Sequence, residues 1–248
     1  MKTVQKTKGF LMLAVVIFGI SVIAFSCSSD SSSAYTCASC HDTPEALAVN
    51  DASAKGIYKG VEAGSTGTLS INILNGSSTI TATMVLDGIS AVLTSSVAYV
   101  DGQAYVAPFT GTYDGSAVSI TFSVAIGGLS PIVSASNIPG HAGATFVLYK
   151  ETSESLIEAF EGTYTKTGGE TGVFNILLSR ALNKWGGVAL NNAAGSLSDE
   201  IDGTINADNQ LILTGGAPII GTLSGDEIHG SFQDSNQDTI TITGHRTL

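Results

Sequence analysis

Polar and apolar residues alternate along most of this chain. From Thr79 to Leu86, Ile80, Ala82, Met84 and Leu86 fall on one side and Thr79, Thr81 and Thr83 on the other. This is the period-two pattern of a strand with one buried face. Ser119 to Val124 and Thr239 to Thr243 repeat it. The runs are punctuated by Leu74-Asn75-Gly76, Asp87-Gly88, Asp101-Gly102, Asp114-Gly115 and Asp202-Gly203. Asn or Asp before Gly suits hairpin turns that need positive φ. Connections this short make neighbouring strands antiparallel, because a parallel crossover takes about a dozen residues or more. The pattern predicts an all-β protein of antiparallel meanders, each closed as an up-and-down barrel or folded as a sandwich.

Helix is expected at two places only. Thr43-Pro44 places an N-cap before a proline at the first helical position, so the pattern predicts a short helix from Pro44 to Val49. Ser155 and Glu158 have capping-box spacing ahead of Ile157, Ala159 and Phe160, with Gly162 as the stop.

The meander occurs twice. Gly56-Ile57-Tyr58 and its following Gly67 strand correspond to Gly162-Thr163-Tyr164 and its Gly172 strand. Gly111-Thr112-Tyr113 aligns with Gly203-Thr204-Ile205, Ala117–Val124 with Gln210–Leu213, and Pro131-Ile132-Val133 with Pro218-Ile219-Ile220. His141 aligns with His229, and Thr145–Tyr149 with Thr239–Thr243. The expected organisation is a signal segment at 1–26, a tether at 27–52, a first module at 53–150, a linker helix at 151–161 and a second module at 162–248. These units resemble the Gly/Thr-rich β modules of exported bacterial surface proteins, which often close on Gly-x-Arg. Here the closing element is Gly244-His245-Arg246.

The N-terminus departs from the alternation. Lys2, Lys6 and Lys8 precede a mostly apolar run from Phe10 to Phe25. The run lacks a polar face and is short for a spanning helix, so it reads as a secretory signal. Ala24-Phe25-Ser26-Cys27 resembles the lipobox of a bacterial lipoprotein signal peptide, although Ala24 stands where a leucine is usual. The resemblance implies lipidation of Cys27 as the mature N-terminus, followed by a Ser-rich tether at 28–33, with a lipid-anchored outer-membrane location. Ordinary signal cleavage and an uncleaved anchor are the alternatives.

Charge sharpens this picture. Only 12% of the 248 residues are charged, and the formal net charge is −11. Losing residues 1–26 removes three lysines and no acid, leaving −14. An acidic chain without clustered Lys and Arg argues against nucleic acid as a partner.

One short motif carries candidate chemistry. Cys37-Ala38-Ser39-Cys40-His41 resembles the c-type haem attachment sequence. That resemblance implies haem on Cys37 and Cys40 with His41 as axial ligand; a sixth ligand would have to come from His141, His229 or His245, and nothing local in the sequence points to one of them. The residues alone leave three alternatives open: haem, a Cys37–Cys40 disulfide favoured by an oxidising envelope, or zinc, for which Asp42 is poorly spaced. Asp234-x-Asn236-x-Asp238 begins like a calcium loop but has Thr239 and His245 where Gly and Glu are wanted, so it reads as a hairpin turn. Trp185, Tyr58, Tyr113 and Tyr164 are read as core plugs, with a sugar or apolar pocket as the alternative. No nucleophile elbow, phosphate-binding loop or zinc-protease helix occurs. The expectation is therefore a non-enzymatic envelope protein that binds a protein or glycan ligand, adheres or assembles. No cofactor and no metal site are expected. The competing expectation is an electron-transfer lipoprotein carrying haem c.

Overall fold

The computed structural model describes residues 34–63, 66–193, 198–215 and 218–248. The signal segment and Cys27 lie outside the described residues. Among the described residues the chain is all-β, in two consecutive eight-stranded antiparallel units.

The first unit comprises β1 (Gly56–Ala63), β2 (Gly67–Ile73), β3 (Ile80–Leu86), β4 (Ile89–Ser95), β5 (Tyr105–Tyr113), β6 (Ser116–Val124), β7 (Ile132–Asn137) and β8 (Thr145–Glu151). Its order is β7-β6-β5-β4-β3-β2-β1-β8, so the sheet stays open between β7 and β8. A side-chain bond crosses that seam, from Ser136 Oγ to the Ala144 carbonyl at 2.8 Å. The second unit comprises β9 (Glu158–Lys166), β10 (Thr171–Ser179), β11 (Lys184–Asn191), β12 (Ser198–Ile205), β13 (Gln210–Leu213), β14 (Ile219–Ser224), β15 (Glu227–Gln233) and β16 (Thr239–Arg246). It closes completely, with β9 bonded to both β10 and β16.

The turn chemistry works as the sequence implies at most sites. Asp87 and Gly88 both take positive φ between β3 and β4, as Asp114 and Gly115 do between β5 and β6. Asp202-Gly203 is different: it lies inside β12, paired with β11. A Cβ on Gly203 would come within 2.8 Å of the Trp185 indole and 1.9 Å of the Ile212 carbonyl. That glycine makes room for a ring and a neighbouring strand, not for a turn.

Both expected helices are corrected. Residues 158–166 form strand β9, not the end of a linker helix. The capping-box pair has tertiary partners instead: Ser155 Oγ bonds Ser179 Oγ at 2.6 Å, and Glu158 receives Arg180 Nε at 2.9 Å. Ile157 and Ala159 pack between the units while Phe160 enters the second barrel, which is strand periodicity. At 44–49 only one 3-10 turn forms, Ala48–Asn50. The N–H groups of Glu45 and Ala46 go to the Glu151 carboxylate, and Leu47 N–H goes to the Asn75 side chain. Donors that a helix would leave at its first turn are already satisfied by distant residues, so nothing drives a longer helix.

The duplication is real at its ends and shifted in its middle. β1 corresponds to β9 and β8 to β16 by position in the meander. The Gly111 and Gly203 segments, however, end the fifth and fourth strands of their units, and Pro131 and Pro218 precede the seventh and sixth. His141 lies in the β7–β8 loop and His229 in β15, so the two are not equivalent. Similar short Gly/Thr strands align as well one strand out of step.

The interiors differ. The first unit is packed shut by Tyr58, Met84, Phe109 and Phe122, each at most 1% exposed, with Tyr58 and Phe122 rings 5.1 Å apart. The units meet through the outer faces of β1 and β10, around Val61, Ile157, Ala159 and Leu177. This contact explains why β1 and β10 are buried on both faces and lose the alternation seen in β3.

Candidate functional site

The C-x-x-C-H segment folds as a clip against the end of the second barrel where β15 begins and β16 stops. Cys37 and Cys40 form a disulfide with Cα atoms 5.4 Å apart. Cys37 N–H donates to Asp226 Oδ2 at 2.8 Å, and Tyr35 donates to the Arg246 carbonyl at 3.0 Å. Arg246, only 3% exposed, is the hub. Its guanidinium donates to the His41 carbonyl and lies 3.4 Å from Asp42, 3.4 Å from Asp226 and 3.6 Å from Glu158. The closing Gly-x-Arg of the sequence thus fastens the N-terminal segment to the C-terminal strand.

His41 is turned outward, 3.4 Å from Glu45, with its side chain 60% exposed. His141 bridges Tyr113 and Asp87, and His229 pairs with Glu227. His245 meets the Tyr35 ring edge-on and pairs with Glu161. A haem needs broad apolar walls beside its two thiols and imidazole. Here the two sulfurs are joined to each other, Ser39 Oγ lies 3.8 Å from Cys37 Sγ, and the segment is held by the charged groups of Asp226 and Arg246. These residues suit a disulfide clip and do not fit a haem. Among the described residues, no cluster of His, Cys, Asp and Glu has a metal-holding arrangement. At the calcium-like run, the Lys166 ammonium sits 2.7 Å from Asp234 Oδ2 and 3.3 Å from Asp238 Oδ2. The protein's own cation occupies that β15–β16 turn, whose backbone N–H groups at Asn236 and Asp238 bond to Asp234.

The second barrel is hollow at its other end. Phe160, Leu178, Trp185, Ile205, Leu223 and Ile228 fill the end near the clip. Trp185 is 2% exposed, and its Nε1 donates to the Thr204 carbonyl at 3.1 Å. Beyond them a cavity of about 290 Å³ remains, walled by Phe174, Ile176, Leu211, Ile220, Phe232 and Ile242 among others. Inward positions of β11 explain the space. They carry Trp185, Gly187 and Ala189, where the matching strand β3 carries Ile80, Ala82, Met84 and Leu86.

No family model, curated protein or solved structure matches this chain. The cavity must therefore be read from its own chemistry.

Its polar groups are few and gathered at the rim: Tyr164, Lys166 and Glu170. Tyr164 donates to Glu170 Oε1 at 3.2 Å. The Asp234 carboxyl is held below its usual range, first by the hydrogen bond from Lys166, and Lys166 is raised by its bonds to Asp234 and Asp238. Both shifts say that the strap across the rim is charged at neutral pH.

Of the four aromatics read from the sequence, Tyr164 alone lines this cavity. Trp185 plugs the barrel, as expected. Tyr58 and Tyr113 plug the first unit, donating to the carbonyls of Ala54 and Leu86, and burial pushes both hydroxyls up. Lys166, Glu170 and the aliphatic wall were not singled out from the sequence. The available signal was the small residue set facing inward on β11.

Proposed function

We propose that this protein is an exported bacterial envelope protein, lipid-anchored through Cys27, that binds a small apolar ligand in its second β unit. The observation behind this reading is the hollow barrel. An isolated β domain is stabilised by filling its interior, at about 25 cal/mol per Å² of apolar surface buried. The first unit is filled, and the second is not. A concave apolar chamber with a few polar groups at one rim is the usual form of a small-molecule site, and its volume lies near the lower end of the roughly 300–1,000 Å³ range.

In this reading the first unit and the disulfide clip are the scaffold. They brace the end of the second barrel opposite its rim. In this reading the chamber binds and does not catalyse: its walls are apolar side chains, with Tyr164, Lys166 and Glu170 at the rim.

The test is binding of a neutral fluorescent probe such as N-phenyl-1-naphthylamine to the mature chain. Saturable enhancement, abolished by Ala189→Trp with the thermal midpoint maintained, is the expected result. Equal enhancement in both proteins would place the probe elsewhere and remove the reading. Anchorage is tested separately by Cys27→Ala, which should move the protein from the membrane to the soluble fraction.

A further inference from the structure

We propose that the chamber of the second barrel takes a small cationic amphiphile, an aliphatic or aryl-alkyl amine, with its ammonium group at Glu170 and its apolar body against Phe174, Ile220 and Ile242. This rests on the ligand-site reading above and adds the class of ligand.

The size follows from the space. At about 290 Å³ the chamber lies near the lower end of the range for small-molecule sites, so its occupant has a short apolar body.

The head group follows from the rim. Among the described residues four charged side chains gather there: Lys166, Glu170, Asp234 and Asp238. A lone lysine at the mouth of an apolar barrel would attract a carboxylate. This lysine is already held by two carboxylates, at 2.7 and 3.3 Å. The rim therefore keeps a net negative charge, and among the described residues the carboxylate that faces the chamber without a cationic partner is Glu170, which accepts from the Tyr164 hydroxyl. An incoming carboxylate meets repulsion and must compete with Asp234 and Asp238 for Lys166. An incoming ammonium meets an acceptor already oriented by Tyr164. Partial enclosure by apolar walls lowers the local dielectric and makes this discrimination larger than it would be in open water.

The experiment uses three ligands of nearly equal size, n-octylamine, n-octanol and n-octanoate. Each displaces the neutral probe from the mature protein at pH 7 and low salt. Octylamine should bind tightest and octanoate weakest, the two differing by about tenfold or more, and added salt should narrow the gap. Glu170→Gln, on an exposed turn, should remove most of the amine advantage while leaving octanol unchanged. Asp234→Asn with Asp238→Asn should free Lys166 and move the preference toward octanoate. Octanoate binding as tightly as octylamine to the wild type, or an amine advantage untouched by Glu170→Gln, would overturn the head-group assignment while leaving the apolar site standing. Failure of all three to displace the probe would remove the ligand-site reading itself.

Discussion

Lys59 Nζ lies 2.9 Å from Glu151 Oε2, and the two side chains are 3% and 0% exposed. Glu151 also accepts backbone N–H groups from Glu45, Ala46 and Ile157. One carboxylate thus ties together strand β1, the N-terminal segment and the link between the two units. Desolvating the pair is costly, and this hydrogen-bond set offsets the cost. Removing one partner leaves the other charge buried. Lys59→Met should destabilise the protein by about 3–5 kcal/mol, read from urea unfolding. Lys59→Met with Glu151→Leu should cost less than the sum of the single changes, because neither charge is then left alone.

The clip should matter less through its disulfide than through Arg246. A crosslink spanning three residues closes a very small loop, and chain entropy gives it about 2 kcal/mol at most. Cys37→Ser with Cys40→Ser should lower stability by no more than that. Arg246→Met breaks contacts to Asp42, Glu158 and Asp226 at once and should cost about 3 kcal/mol or more. A disulfide variant that unfolds more easily than the Arg246 variant would reverse this ordering. Intact mass of the exported protein should show Cys37 and Cys40 two hydrogens short of the dithiol and free of haem, with no Soret band.

Gly203 should tolerate no side chain. Its Cβ would overlap the Trp185 ring and the Ile212 carbonyl. Gly203→Ala should cost about 1–3 kcal/mol by overpacking and alter the Trp185 fluorescence, Trp185 being the protein's single tryptophan. Gly88→Ala, in open space at a turn with φ of +77°, should cost stability through backbone strain alone and leave that fluorescence unchanged.

The rim strap has a defined pH window. Asp234 is shifted down from 3.8, so its contribution is present above its unfolded value and is lost as pH falls through the lower folded value. Lys166 is shifted up from 10.5, so its contribution is present below that value and is lost as pH rises through the higher folded one. The difference in urea midpoint between wild type and Asp234→Asn should stay constant from about pH 5 to 9 and shrink in stronger acid. A difference that persists unchanged below about pH 2 would show that the bond is not ionic.

The sequence by itself determined the fold class, the antiparallel pairing and the duplication, because each depends on neighbours close in the chain. Period-two alternation sets which side of β3 is buried, and Asp87-Gly88 and Asp114-Gly115 set hairpins through their own φ angles. The C-x-x-C spacing kept a disulfide among its possibilities for the same local reason. Only the tertiary structure decided the rest. Ser155 and Glu158 have helix-cap spacing, yet their partners Ser179 and Arg180 lie more than twenty residues away and hold a strand. Gly203 follows an aspartate like a turn glycine, but the Trp185 ring fixes it inside β12. The hollow depends on the sum of side-chain volumes from eight strands meeting in one barrel, and the charge at its rim depends on Lys166 reaching a turn some seventy residues on. No local pattern contains either quantity. Closure of the barrel brings them into being.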